Sequence, residues 1–144
     1  MEKRIKYGST LLFFLIAGLA LYGYFYHISG TSPEFLNKEP DIHVSARDLI
    51  GISNNNESLF NHQYLYRILS VRGIVKDLRR NETGAYVLRL GANPDLPTLF
   101  VNCTLDSMYS HRELSLKTGD SCTIQGTCAG QLMNVILVQC IIQD

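Results

Sequence analysis

The tightest constraint on this chain lies in its last third. The stretch Leu116 to Ile142, LKTGDSCTIQGTCAGQLMNVILVQCII, opens with a turn signal at Lys117-Thr118-Gly119-Asp120 and continues as a short alternating run through Ile124. Gly126, Cys128 and Gly130 follow, and an apolar run from Val135 to Ile142 closes it. Two runs of strand length around a glycine-containing connection predict an antiparallel hairpin. The second run is apolar on both faces, which predicts cover on both sides and hence a closed barrel with something packed outside it.

The residues upstream supply the partners that such a hairpin needs. From Arg67 the period is two: Leu69, Val71 and Val75 alternate with Ser70, Arg72 and Lys76, and Gly73 sits where a long strand can bend or bulge. A turn at Leu78 to Gly84 leads to a second strand, Ala85 to Leu90, with Tyr86, Leu88 and Leu90 on one side. After the loop Gly91 to Pro97, a third strand spans Thr98 to Leu105, with Leu99, Val101, Cys103 and Leu105 inward and Phe100 outward. The polar stretch Asp106 to Leu116 predicts a short helix. Ahead of the strands, Ser45 can cap a helix with Asp48 three residues later, and Leu49, Ile52, Leu59 or Phe60, and Tyr64 form one apolar stripe. Asn54-Asn55-Asn56 predicts a break in that helix. The sum is mainly β: a five-stranded Greek-key OB-fold barrel with a leading α-helix, spanning 44–144.

The N-terminus reads as a membrane segment. Lys3, Arg4 and Lys6 lie in a basic flank at 1–6, and 7–26 carries no charge. Twenty residues at helical rise span about 30 Å, the thickness of a bilayer's hydrocarbon core. Tyr22, Tyr24, Phe25 and Tyr26 sit where an interfacial aromatic belt belongs. The alternative is a cleaved signal peptide with a poor cleavage site at Gly18-x-Ala20. The uncleaved reading predicts one transmembrane signal-anchor helix preceding the barrel, with the lipid bilayer as its partner and the N-terminus cytoplasmic. Residues 27–43, with Gly30, Ser32, Pro33 and Pro40, read as a mobile linker.

Charge and motifs narrow the function. From Gly30 onward ten Lys/Arg face twelve Asp/Glu, a net charge of 10 − 12 = −2, which disfavours a nucleic-acid partner. No P-loop, nucleophile elbow, zincin or dinucleotide motif is present. His27, His43, His62 and His111 have no ligand or catalytic spacing, so the expectation is no enzyme, no cofactor and no metal. Asn56, Asn81 and Asn102 open glycosylation-type triplets, which carry meaning only in a eukaryotic secretory pathway. One constellation remains. Arg67, Arg72, Lys76, Arg79, Arg80 and Arg89 fall in the first two strands, with Tyr86 and Phe100 as stacking rings, against only Asp77 and Glu82. OB-folds bind on this face with such residues, although cations on a twisted strand are more often solvated and Tyr86 alternates with core leucines.

Cys103, Cys122, Cys128 and Cys140 are either buried thiols or disulfide partners. A hairpin turn centred on Gln131 sets Cys122 opposite Cys140, and a shift of one residue puts them on opposite faces. Cys128 with Cys140, or Cys103 with either, are the other pairings.

The run from Val44 to Ile142 also resembles the tRNA_anti-like family of OB-fold proteins. The residues that carry the resemblance are Val44-Ser45-Ala46 with Leu49, Asn56-Glu57, Tyr64-Leu65 leading into Arg67, and Val71-x-Gly73-x-Val75. It continues through Val101-x-Cys103, Lys117-x-Gly119-Asp120, Gly126-x-Cys128-x-Gly130, Val135 to Val138, and Cys140. It departs at Tyr66-Arg67, where the family tends to have Gly-Lys. The resemblance implies an OB-fold in a bacterial protein with an N-terminal membrane segment or signal. The resulting expectation is a binding module on the bacterial inner membrane, single-pass, with its OB domain in the periplasm or outside. Its partner would be an envelope protein, peptide or glycan. An oligonucleotide-binding domain and a structural accessory of a membrane complex are the alternatives.

Overall fold

The computed structural model describes residues 12–24, 38–92 and 99–143. The chain divides into two compact units, Met1–Ser32 and Pro33–Asp144. In the first, residues 12–24 form helix α1, whose apolar side chains are exposed. Among the described residues no helix is long and apolar enough to cross a membrane. The expected span at 7–26 runs past α1 at both ends, and residues 7–11 and 25–26 lie outside the described residues, as do the basic flank and linker residues 27–37.

The second unit is a closed barrel. Strands β1 (Ile42–Ser45), β2 (Ile68–Arg80), β3 (Tyr86–Gly91), β4 (Val101–Leu105), β5 (Ser121–Gln131) and β6 (Val135–Gln143) run in the order β1-β2-β3-β4-β6-β5, and β2 also pairs with β5. The ring β2-β3-β4-β6-β5 is the five-stranded barrel of an OB-fold, with β4 and β6 parallel and its other seams antiparallel. The thirteen residues of β2 serve two seams: Ile68 to Ile74 pair with β5, and Ile74 to Arg80 pair with β3. Gly73 lies at the changeover, where a Cβ would stand 2.9 Å from the Cβ of Ala46 and 3.1 Å from that of Leu90. It therefore permits close packing, and the bulge falls at Lys76 instead.

Helix α2 (Ala46–Asn55) begins at Ser45, whose Oγ accepts the Asp48 N–H at 3.1 Å and donates to the Asp48 carboxylate at 2.7 Å. The asparagine run divides the helix as its composition predicts. Asn56 caps a second helix, α3 (Glu57–Tyr64), by accepting the Leu59 N–H at 2.9 Å. Leu49, Ile50, Phe60 and Tyr64 enter the same core as Leu69, Val71, Leu88, Leu90, Val101, Ile124 and Leu137 from the barrel. A short 3₁₀ turn, Ser107–Tyr109, follows β4.

Two expectations require correction. Residues 42 and 43 are not linker: β1 forms a sixth strand parallel to β2, from Ile42↔Leu69 to Ser45↔Arg72. Asp41 secures its start, donating its N–H to Ile68 O at 2.8 Å and accepting the Ile68 N–H on its carboxylate at 2.9 Å. Ahead of it, Lys38 O accepts from Gln125 Nε2 at 2.7 Å. A four-residue strand beside prolines and charges is too short to show a period. The second correction concerns β6, which is not buried on both faces. Val135, Leu137 and Cys140 are inward, while Ile136, Val138 and Ile141 stay half-exposed outside, because α2 and α3 dock on the core and leave that face uncovered.

Candidate functional site

Strand alternation decides which of the expected binding residues share a face. On the outer surface of β2, β3 and β4, Asp77 pairs with Arg89 and Arg89 with Asn102, while Arg79 pairs with Val87 and Val87 with Thr104. Arg79 Nε and Arg89 Nη1 lie 3.8 and 3.9 Å from the same oxygen of Asp77. The Arg89 guanidinium carbon stands 5.7 Å from the centre of the Phe100 ring, a cation–π contact. Phe100 is tied to the β5–β6 turn, its N–H donating to Asn134 Oδ1 at 3.0 Å. Arg89 Nε and Asn102 Oδ1, cross-strand neighbours, are both buried without a hydrogen-bond partner.

The other cations lie elsewhere. Arg80 stacks on Tyr86 at 4.4 Å, donates to Tyr86 Oη and to Ser110 O at 2.9 Å, and Tyr86 Oη donates to Arg112 O at 3.1 Å. These two residues therefore hold the segment after β4 against the barrel. Lys76 lays its stem over Gly91, where a Cβ would come 2.5 Å from Cε. Arg72 borders a shallow groove of about 390 Å³ with His43, Ser45 and Thr123, between β1 and β5. Arg67 is exposed at the start of β2, its carbonyl accepting from Cys128. The structure thus brings together Arg79, Arg89 and Phe100, and adds Asp77, which the sequence marked only as an opposing charge, and Asn102, which it did not mark as a site residue. The Asp77-x-Arg79 spacing was the available signal, since residues two apart on a strand share a face.

The four cysteines are free and buried. The hairpin turn falls at residues 132–134, with Gln131 opposite Val135, so Cys122 does not face Cys140. Cys140 instead lies over Gly126, where a Cβ would be 2.5 Å from its Sγ. Burial raises the Cys122 thiol from 9.0 to about 11, and raises Cys128 and Cys140 as well. Among the described residues no group of three or more His, Cys, Asp or Glu side chains is placed to hold a metal ion.

No curated protein matches the chain. Among solved structures it resembles a lipoprotein from Klebsiella pneumoniae subsp. pneumoniae MGH 78578, provisionally described as nucleic acid-binding, with a TM-score of 0.59 and 16% identity over 80% of this chain and 100% of that one. The model of the tRNA_anti-like family matches residues 6–142, nearly the whole length. The chain belongs to the tRNA_anti-like family.

Proposed function

We propose that this protein is a membrane-anchored, extracytoplasmic OB-fold binding module without catalysis, and that its ligand is an extended peptide or glycan at the cell envelope. The observation that carries the ligand class is the unpaired couple on the outer face of β3 and β4. Arg89 Nε offers a donor and Asn102 Oδ1 an acceptor, side by side. An amide or a sugar hydroxyl satisfies both, whereas a phosphate oxygen can only accept. Entry requires the Arg89 side chain, 30% exposed, to swing off Phe100. The anchor reading rests on the uncharged run at 7–26 behind three cations.

A photo-crosslinking residue at Phe100 tests the site in intact cells. Adducts at Phe100 that disappear in Arg89→Ala, with none at Thr123 on another part of the barrel, are the expected outcome. Equal labelling at both positions, or none, overturns the assignment. A C-terminal reporter active only in the cytoplasm overturns the location.

The Klebsiella neighbour's description favours oligonucleotide as the second reading. Among the described residues the cations on this face are Arg79 and Arg89, and they share Asp77. Single-strand binding there would show a log-affinity against log-salt slope of about −1.4, about 0.7 for each of two phosphate contacts. A steeper slope would assign the binding to other cations.

A further inference from the structure

The chain from Ser121 to Gln143, which forms β5, the turn and β6, contains no charged residue. Its tip stands in solvent, with Leu132 88% and Met133 86% exposed. Tyr66 lies at the same end of the barrel and is 79% exposed. Its N–H donates to Cys128 O at 2.8 Å, and Leu65 lies 3.6 Å from where a Cβ of Gly130 would be. Tyr66 is held at a φ of 62°, a left-handed conformation that bulky residues avoid. Beside it Arg67 is exposed.

We infer that this end of the barrel is a lipid-contact surface, in which Leu132 and Met133 enter the boundary between headgroups and acyl chains while Tyr66 lies among the headgroups. The inference rests on the reading of 7–26 as a membrane anchor. A hairpin without charges enters that boundary with no ion to desolvate. A tyrosine has the apolar body and polar tip that suit the interface, and Arg67 supplies attraction to anionic headgroups. The eleven residues 27–37 span at most about 40 Å, so an anchored domain cannot leave the bilayer's neighbourhood. A charged protein partner would find nothing on this hairpin to steer or orient it.

The chain has no tryptophan, so Leu132→Trp creates a single reporter at an exposed position. Met108→Trp, beyond the opposite end of β4 and 40% exposed, is the control. The full chain is reconstituted into phosphatidylethanolamine and phosphatidylglycerol vesicles, with a parallel set carrying lipids brominated high on the acyl chain. The expected result is that both variants float with the vesicles, but only Leu132→Trp gives blue-shifted emission quenched by bromine, at a depth of about 5–10 Å. Floating chains in which Leu132→Trp is unquenched overturn the inference and leave the anchor reading standing. A blue shift without bromine quenching also overturns it, and identifies a second copy of this chain as the cover. Chains that stay behind when the vesicles float overturn the anchor reading, and this inference with it.

Discussion

Single atoms decide much of the barrel's sequence. Gly126 has no Cβ because Cys140 Sγ and Val138 O occupy the space, at 2.5 and 3.3 Å from the Cβ position. Gly126→Ala should therefore destabilise by about 1–3 kcal/mol, as overpacked cores do. Gly126→Ala combined with Cys140→Ala should cost less than the sum of the two changes, measured as urea midpoints in a double-mutant cycle. The thiols also set a pH dependence. Well below pH 9 Cys122 holds its proton in the folded and the unfolded chain alike. As pH rises from 9.0 towards 11, the unfolded chain releases a proton that Cys122, desolvated by burial, still holds. Stability should fall across that window, and Cys122→Ala should flatten the fall. Tyr66 holds a φ of 62°, the left-handed conformation that glycine takes without steric cost and a ring-bearing residue rarely adopts. The sequence shows which residue stands there, but only the backbone shows the left-handed turn it has to adopt.

At the scale of elements, local chemistry was legible wherever a side chain touches its own backbone. The Ser45 cap and the break at Asn56 could be read directly, because both depend on hydrogen bonds spanning three residues. Asn56→Ala should cost about 1 kcal/mol and loosen α3, visible as faster amide exchange in Glu57–Tyr64 with little change in β3 or β4. Register was not legible. The terminal hairpin has two compensating bulges, Gln139-Cys140 opposite Gly126 on β6 and Ala129-Gly130 opposite Ile136 on β5. Gln139 at φ 53° and Gly130 at φ 128° accommodate them. The bulges cancel, and what separates Cys122 from Cys140 is the turn itself, which falls two residues beyond Gln131 and so moves every β5 residue's partner by four; alternation carries no mark of that shift. Strand β1 was hidden for a different reason: its pairing depends on Ile68, 27 residues further on.

At the scale of the whole domain, the β2–β5 pairing closes the ring. β2 pairs with β3 on one side and with β5 on the other, so the ring β2-β3-β4-β6-β5 closes on it. Ile124 is fully buried on β5 and pairs with Val71 across one seam and Ile142 across the next. Ile124→Ala should cost about 2–5 kcal/mol, a large part of the roughly 5–15 kcal/mol that holds a domain folded. Thermal unfolding should remain a single transition at a much lower midpoint. The OB architecture was readable in advance because five strand-length runs and their turns leave few closed arrangements. The candidate site was only partly readable, because six cations close in sequence are spread over several surfaces once β2 crosses the barrel.

Strand β1 also gives the domain a mechanical property. Any tension arriving from the segment before residue 38 first meets the Lys38–Gln125 bond, then the paired bonds between Asp41 and Ile68. Behind them the parallel β1–β2 ladder lies across a pull directed along the strand, so its hydrogen bonds share the load in shear. Helix α2 starts only where that ladder ends, at Ser45. The helices and the core beneath them are thereby shielded from force until the sixth strand gives way.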